Sequence, residues 1–273
     1  MITFPNAKIN LGLHIVSRRS DGYHNIETVF YPIPLTDSLE IVPAEGSEST
    51  LTCYGRVVDC PTEKNLVMKA YRMMEKEFGL PPVDIYLVKH IPDGAGLGGG
   101  SSDASFCMKM LNDMFKLGCT AEQLAKMASK IGADCPFFIH NKPMMATGIG
   151  DEFTPTDVCL KGKHMLLVKP DVSVPTKAAY AQVTPAPSAK PIPEILSDGM
   201  ENWQKELVND FEKSVFAQYP SLAEIKRTLL ESGASYAAMS GSGSSIFGIF
   251  SCAEMAEKAA DHFKEYSHFV IQL

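Results

Sequence analysis

Five glycines lie within the seven residues from Gly94 to Gly100, directly before two serines. Glycine has no Cβ, so successive backbone N–H groups in such a segment can converge on an anion. A helix is predicted to begin near Ser101, and its N-terminus adds unpaired N–H donors and a partial positive charge. A simple turn from a strand into a helix needs far fewer glycines. Phosphate binding is therefore the chemistry that these residues predict.

Two established phosphate-binding patterns differ from this segment. Gly94, Gly96 and Gly99 satisfy G-x-G-x-x-G, but that dinucleotide fingerprint also needs an acidic residue about twenty positions on, at the end of a second strand. Asp113 has this separation but falls inside a predicted helix. The pattern G-x-x-x-x-G-K-[ST] is absent. We infer a different phosphate loop, whose two terminal serine hydroxyls can hold phosphate oxygens or a magnesium ion.

Three segments resemble the motifs of the GHMP kinase superfamily, which includes galactokinase and the homoserine, mevalonate and phosphomevalonate kinases. Pro92–Ala104 is similar to the central motif, Pro5–Leu11 to the first and Met239–Ser245 to the third, and their order along the chain agrees. The resemblance implies that ATP donates a phosphoryl group to a small-molecule hydroxyl, with Mg²⁺ expected near Ser102. The residues that it implies for ATP binding in the central motif are Pro92, Asp93, Gly94, Ala95, Gly96, Leu97, Gly98, Gly99, Gly100, Ser101 and Ser102. The third motif is a glycine loop that contains Gly241, Ser242 and Gly243.

Further segments indicate which small molecule accepts the phosphoryl group. Arg19–His24 with Thr28–Phe30, together with Gly132–Phe138, resemble the branch of the superfamily whose acceptor is the cytidine diphosphate derivative of methylerythritol. The resemblance implies phosphorylation of the acceptor's 2-hydroxyl in non-mevalonate isoprenoid synthesis. The alternatives are a GHMP kinase for a sugar, homoserine or mevalonate, a nicotinamide-dependent oxidoreductase, and a non-catalytic nucleotide-binding protein. The Tyr23-His24 pair argues against the other acceptors.

Lys8 and Asp134 have the side-chain types that phosphoryl transfer to an alcohol requires, a cation near the phosphate and a base near the attacking oxygen. Asp134 stands beside Cys135–Phe138, where an unpaired carboxylate is costly, and Lys8 lies in an otherwise uncharged run from Ile2 to Leu13. Without the motifs, each residue has a structural explanation: Asp134 can be a turn residue at the end of a helix, and Lys8 can be a cation at the edge of a strand. The resemblance implies that they are the catalytic pair.

Other candidate residues concern recognition of the substrates. Tyr23 and His24 offer a stacking face and hydrogen bonds for a nucleobase. The resemblance implies that Tyr180 stacks on the cytosine, although an aromatic residue in a helix is more often core. Asn10 is expected to hydrogen-bond the acceptor, the alternative being a satisfied amide at a strand end.

Asn65 and Lys89 occupy positions that resemble the adenine contacts of the family. Each has a plainer explanation. Asn65 can cap the helix that follows it, and Lys89 can be solvated.

The elements that position these residues follow from hydrophobic spacing and turn residues. Ile2 to about Val58 alternates in short runs and predicts strands, and Val83–His90 predicts another strand. Apolar residues at helical spacing predict a helix over Asn65–Phe78. Thr120 and Gln123 form a capping-box pair for a helix that we expect to end at Gly132, and Asp134 follows it.

The later part of the chain predicts a second set of elements. A Pro-, Ala- and Ser-rich stretch over Thr184–Pro193 suits a surface loop. The expected elements are a strand at His164–Val168, a helix near Leu222–Leu230, a strand at Ile246–Phe250, a helix capped by Ser251 with Glu254, and a strand at Phe269–Leu273.

The predicted fold is α+β with two lobes, an N-terminal ATP-binding and catalytic domain over 1–156 and a C-terminal domain over 157–273. The resemblance implies that the first lobe is similar to domain 2 of ribosomal protein S5 and that the second lobe is ferredoxin-like.

Composition limits the compartment and the partners. The net charge is −7 and no run of five Lys or Arg occurs, so a nucleic-acid partner is not expected. No signal peptide or run of eighteen apolar residues is present, so we expect no membrane role. The seven cysteines are scattered and never spaced C-x-x-C, which favours a reducing, cytoplasmic location and argues against a zinc site.

Overall fold

The computed structural model describes residues 1–56 and 60–273, so the predicted end of the β-rich opening at Val58 lies outside the described residues. The strands, β1 to β12 in chain order, are Ile2–Thr3, Asn6–Arg18, His24–Thr36, Ser38–Pro43, Thr50–Gly55, Val83–Lys89, Met144–Thr147, Glu152–Pro155, His164–Lys169, Tyr236–Met239, Ile246–Phe250 and Ser267–Gln272. The helices, α1 to α10, are Leu66–Phe78, Gly99–Met114, Ala121–Ala128, Cys135–His140, Thr176–Ala181, Ile192–Ser197, Met200–Glu206, Phe211–Gln218, Pro220–Glu231 and Ala253–Ala260. The mixture of strands and helices confirms the predicted α+β class.

Local capping explains where two of the helices begin and end. Asn65 accepts a hydrogen bond from the backbone N–H of Val67 at the start of α1, and Gly79 ends this helix in the left-handed conformation. The predicted capping box of Thr120 and Gln123 is present at the start of α3. This helix ends at Ala128 rather than at the predicted Gly132, because residues 129–131 continue as turns.

The start of α10 differs from the sequence prediction. Cys252 occupies the N-cap position and its side chain makes no capping bond. The hydroxyl of Ser251 faces the sulfur of Met255 at 3.4 Å, so the predicted cap by Ser251 is wrong. The strand prediction for Ile246–Phe250 is confirmed without change as β11.

The chain forms two compact units. Unit 1 comprises residues 1–7, 35–93 and 98–142, and its sheet has the strand order β1-β4-β6-β5. Strands β5 and β6 are parallel, and the other neighbours are antiparallel. Its core is built from alternate residues of β4 and β6 together with apolar residues of α1 and α2. The end of β6 and the start of α2 therefore belong to one packed body.

Unit 2 comprises residues 8–34, 94–97 and 143–273. One of its sheets is antiparallel with the order β10-β11-β9-β12, and helices α8, α9 and α10 contribute to the core that covers it. A second sheet has the order β2-β3-β7-β8, in which Thr28 pairs with Ala146. The expected domain boundary at residue 156 stays a prediction.

Along residues 1–56 and 60–273, none of the helices combines the length and the apolar character that crossing a membrane requires.

Candidate active site

The first half of the glycine loop, residues 94–97, is held by hydrogen bonds within unit 2. The carbonyl oxygen of Gly96 accepts hydrogen bonds from Lys8 Nζ at 3.0 Å and from Ser240 Oγ at 2.9 Å. The backbone N–H of Lys8 donates to the carbonyl oxygen of Leu97 at 3.0 Å. Residues of the first and third motifs thus meet at this part of the central motif.

Only glycine fits at position 96. Gly96 has φ +77, a left-handed conformation that side chains disfavour. A Cβ at this position would lie 2.0 Å from the carbonyl oxygen of Ser240, far inside a normal contact. The close approach of two backbone segments therefore requires this glycine.

Lys8 and Asn10 lie on strand β2 with their side chains buried, at 4% and 2% exposure. Lys8 Nζ donates to Asn10 Oδ1 at 2.7 Å, and the ammonium lies 4.7 Å from the ring centroid of Phe30. The amide of Asn10 donates in turn to the hydroxyl of Thr28 at 3.0 Å. Asn10 is thus a satisfied amide, but in the middle of a long strand rather than at a strand end. The network holds the ammonium in a single orientation.

The third-motif loop is supported by a residue that sequence reasoning missed. Asn209 is buried, and its amide donates to the carbonyl oxygens of Met239 and Gly241, both at 2.8 Å. The hydroxyl of Ser242 lies 3.1 Å from that of Thr176. Nothing in the sequence marks Asn209, because it lies about 30 residues before the loop in an unremarkable stretch.

The second half of the glycine loop leads into α2 within unit 1. Gly98 is the N-cap residue in the left-handed conformation, with φ 71, and the helix begins at Gly99, two residues before the predicted start. Ser102 lies in the first turn, and its hydroxyl oxygen is buried without a hydrogen-bond partner among the described residues. An oxygen in this state at a helix N-terminus suits an incoming ligand, whether phosphate or a hard cation.

Asp134 immediately precedes α4, a short helix that the sequence analysis did not predict. Pro136, in the first turn, is the signal that could have indicated it. Asp134 is half-buried, and its carboxylate makes no capping hydrogen bond to this helix. The hydroxyl of Ser105 donates to the carbonyl oxygen of Cys135 at 2.8 Å, which ties α4 to α2. Burial raises the pKa of the Cys135 thiol to about 11, although hydrogen bonding with the hydroxyl of Ser101 opposes this shift, so the thiol is protonated at neutral pH.

Lys89 is buried, so its interpretation as a solvated side chain is wrong. Its ammonium donates to the carboxylates of Asp37 and Asp103, the latter at 2.6 Å, and all three side chains are at most 5% exposed. Burial lowers the pKa of Lys89, but the two carboxylates outweigh it and raise that pKa above its usual value. Burial raises the pKa of Asp103 to about 8, although the nearby ammonium of Lys89 opposes this shift. Sequence reasoning did not assign either aspartate to the site.

Two candidate base-recognition residues come together within unit 2. The rings of His24 and Tyr180 are stacked, with centroids 4.9 Å apart and planes 16° from parallel. The ring of Tyr180 is also nearly perpendicular to that of Phe211, with centroids 4.8 Å apart, and Tyr180 packs against the core, as its plainer explanation predicted. Tyr23 is 61% exposed. The stacked rings of His24 and Tyr180 form an aromatic platform, and the imidazole nitrogens of His24 can also form hydrogen bonds.

The plainer explanation of Asn65 is confirmed by its role as the cap of α1, and the ATP contact stays a prediction. In the described part of the chain, no group of three or more His, Cys, Asp or Glu side chains could hold a metal ion.

Comparison with known proteins defines the class. Residues 65–142 match the family "GHMP kinases N terminal domain" and residues 189–268 match "GHMP kinases C terminal", so this chain belongs to the GHMP kinases and uses ATP as the phosphoryl donor.

Individual relatives narrow the family further. The chain is 55% identical over 260 residues to 4-diphosphocytidyl-2-C-methyl-D-erythritol kinase of Bacteroides fragilis, covering 94% of this chain and 95% of the relative. It is 54% identical over 269 residues to the enzyme of the same name from Parabacteroides distasonis, with 98% and 96% covered. A crystal structure of 4-(cytidine 5'-diphospho)-2C-methyl-D-erythritol kinase superposes with a TM-score of 0.85 at 31% identity, covering 99% of this chain and 98% of that one. The chain is a member of the 4-diphosphocytidyl-2-C-methyl-D-erythritol kinase family.

Proposed function

We propose that this chain transfers the γ-phosphoryl group of ATP to the 2-hydroxyl of 4-diphosphocytidyl-2-C-methyl-D-erythritol, giving the 2-phosphate and ADP. The kinase class and the family name of the relatives support the reaction. The observation that carries the chemistry is the buried ammonium of Lys8, held against the carbonyl oxygen of Gly96 in the glycine loop. A cation fixed beside a phosphate-binding backbone is what phosphoryl transfer requires, since most of its catalysis is positioning and charge stabilisation.

In this proposal the glycine loop binds the phosphates of ATP. Backbone N–H groups of residues 94–100 and the N-terminus of α2 would cradle the phosphate oxygens. Lys8 would lower the negative charge on the transferred group, and Asn10 would keep its ammonium oriented through the 2.7 Å hydrogen bond. Because the ammonium is desolvated, its attraction for a phosphate is stronger than that of a surface lysine.

Asp134 is proposed as the general base that takes the proton of the acceptor hydroxyl. Its carboxylate makes no capping hydrogen bond to the helix that follows it, so helix capping does not account for an aspartate at this position. A positioned base of this type contributes about a hundred-fold or more to the rate.

Mg²⁺ is proposed to accompany ATP. The hydroxyl of Ser102, buried and without a partner among residues 1–56 and 60–273, is the oxygen that would hold it, with phosphate oxygens of ATP as further ligands. Bound there, the ion would neutralise charge on the β- and γ-phosphates.

The cytosine is proposed to bind at the aromatic platform of His24 and Tyr180, with Tyr23 as a further contact. Stacked rings with centroids 4.9 Å apart leave no room for a base between them, so the base must lie on an outer face or separate the two rings. An imidazole nitrogen of His24 can then bond to the edge of the base. The cytoplasmic location and the lack of a nucleic-acid partner stay predictions from composition.

A coupled ADP-release assay on the purified chain tests the reaction. The acceptors are the cytidine diphosphate derivative, homoserine, mevalonate and galactose, each at the same concentration with ATP and Mg²⁺. We expect ADP release with the cytidine derivative alone. Release with another acceptor and none with this one would replace the proposed substrate, and a protein that binds ATP but releases no ADP with any acceptor would overturn the kinase proposal.

A further inference from the structure

Unit 1 contains a buried ionic cluster, defined here as Asp37, Lys89 and Asp103, that the proposed chemistry does not use. Lys89 comes from the end of β6, Asp37 from the short link between β3 and β4, and Asp103 from the first turns of α2. The ammonium of Lys89 bonds to one oxygen of each carboxylate. Burying three ionisable groups costs free energy that close pairing must offset, so chance placement does not explain the cluster.

The cluster holds the chain on the N-terminal side of the glycine loop. The second oxygen of Asp37 accepts hydrogen bonds from the backbone N–H groups of His90 at 2.5 Å and Ile91 at 2.8 Å. Pro92, where the ATP-binding motif begins, is the next residue. The direction in which the chain leaves β6 is therefore set by the carboxylate of Asp37.

The same ammonium holds the chain on the C-terminal side of the loop. Asp103 accepts from Lys89 Nζ at 2.6 Å one turn after the helix begins. At Gly99, a Cβ would lie 3.3 Å from Lys89 Nζ and 3.0 Å from Ile91 Cγ2. Gly99, the first residue of α2, thus lies close to the side chains of Lys89 and Ile91.

We propose that the Asp37–Lys89–Asp103 cluster is a positioning element that clamps the two chain segments flanking the glycine loop, so that it sets ATP affinity without contacting the nucleotide. This inference rests on the proposed binding of ATP at the loop. Residues 89–91 and 99–103 lie at fixed spacing because a single buried ammonium bonds to carboxylates that are attached to both. A loop with fixed ends binds phosphate with less loss of conformational freedom than a loose one.

A clamping role for Lys89 predicts different behaviour from a direct contact with adenine. The ammonium has three N–H donors, and two of them already serve buried carboxylates. A contact residue would act through its own bond to the ligand, so the aspartates would matter little. A clamp loses its effect when any one of its members is removed, and removing a second member then adds little.

A double-mutant cycle tests this distinction with Lys89→Met, Asp103→Asn and the double variant. The readouts are the ATP KM and kcat at saturating acceptor. Each single substitution is expected to raise the ATP KM about ten-fold or more with kcat within about three-fold, because a buried charge-assisted hydrogen bond is lost from the clamp. The ATP KM of the double variant should be close to that of the single variant with the higher ATP KM, rather than show the product of the two single effects. Lys69→Met and Asp113→Asn, on exposed positions of α1 and α2, are the matched controls.

Hydrogen exchange of the amides of residues 90 and 91 gives a readout that does not depend on activity. Asp103→Asn should accelerate exchange of both amides, although Asp103 does not touch them, and it remains measurable if Lys89→Met fails to fold. Multiplicative effects on the ATP KM, an effect of Lys89→Met alone, or unchanged exchange at residues 90 and 91 would each overturn the clamp. Wild-type protein without ADP release would instead contradict the proposed function, and the exchange measurement would still decide whether the clamp exists.

Discussion

Replacing Gly96 by alanine should damage the glycine loop far more than the same replacement at Gly94. Gly96 has φ +77 and Gly94 has φ +57, so an alanine at either position pays the left-handed cost of about 1–2 kcal/mol. The two positions differ in the room that is available for a Cβ. A Cβ at Gly94 meets nothing within 4 Å, whereas a Cβ at Gly96 would lie 2.0 Å from the carbonyl oxygen of Ser240.

The magnitude at Gly96 follows from this clash. Ordinary contact begins at 3.4 Å, so the loop or the third motif must move by about 1.4 Å, the difference between 3.4 and 2.0 Å. Overpacking of this kind costs about 1–3 kcal/mol, for a total of about 2–5 kcal/mol. The movement also pulls the carbonyl oxygen of Gly96 away from Lys8 Nζ, now 3.0 Å distant. Turnover should therefore fall together with stability.

Urea unfolding and the ADP-release assay on both variants measure the two effects. Gly94→Ala should lose about 1–2 kcal/mol of unfolding free energy and less of the turnover than Gly96→Ala. Gly96→Ala should lose more stability and at least about ten-fold in kcat/KM, since about 1.4 kcal/mol corresponds to a factor of ten. Equal losses for the two variants would refute the argument from close approach, because their backbone conformations are alike and only the space differs.

Three further outcomes are expected. Asp134→Asn should retain ATP binding in a fluorescence titration but lower kcat by about a hundred-fold or more, and near-normal turnover would rule Asp134 out as the base. His24→Ala should raise the acceptor KM by about five- to a hundred-fold in the ADP-release assay with little change in the ATP KM, and a selective loss of ATP affinity would place His24 in the donor pocket instead. Asp103 has a pKa raised to about 8, so its neutral form stabilises the fold at low pH, and this contribution is lost as pH rises from about 4 towards 8. Urea unfolding at about pH 5 and pH 8.5 should show wild type losing stability relative to Asp103→Asn over this interval, and a constant difference would contradict the raised pKa.

The sequence alone was sufficient for the local features of this protein and for its family. Helices α1 and α3 were predictable because Asn65, Gly79 and the Thr120–Gln123 capping box act through bonds a few residues apart. The glycine loop was predictable because five glycines in seven residues have few structural uses. The three motifs and their order indicated a GHMP kinase, and the family matches confirmed it.

Tertiary structure decided which residues share an environment. The sequence did not predict the buried ion pairs of Lys89, because its two partners lie 52 and 14 residues away and neither separation has a sequence signature. Asn209 likewise hydrogen-bonds to third-motif carbonyl oxygens that lie 30 and 32 residues away, and no sequence pattern indicates this contact. Hydrogen bonds along a helix depend on spacing, which a sequence displays, whereas a buried charge cluster depends on how β6, α2 and the link before β4 pack, and only the folded chain brings those segments together.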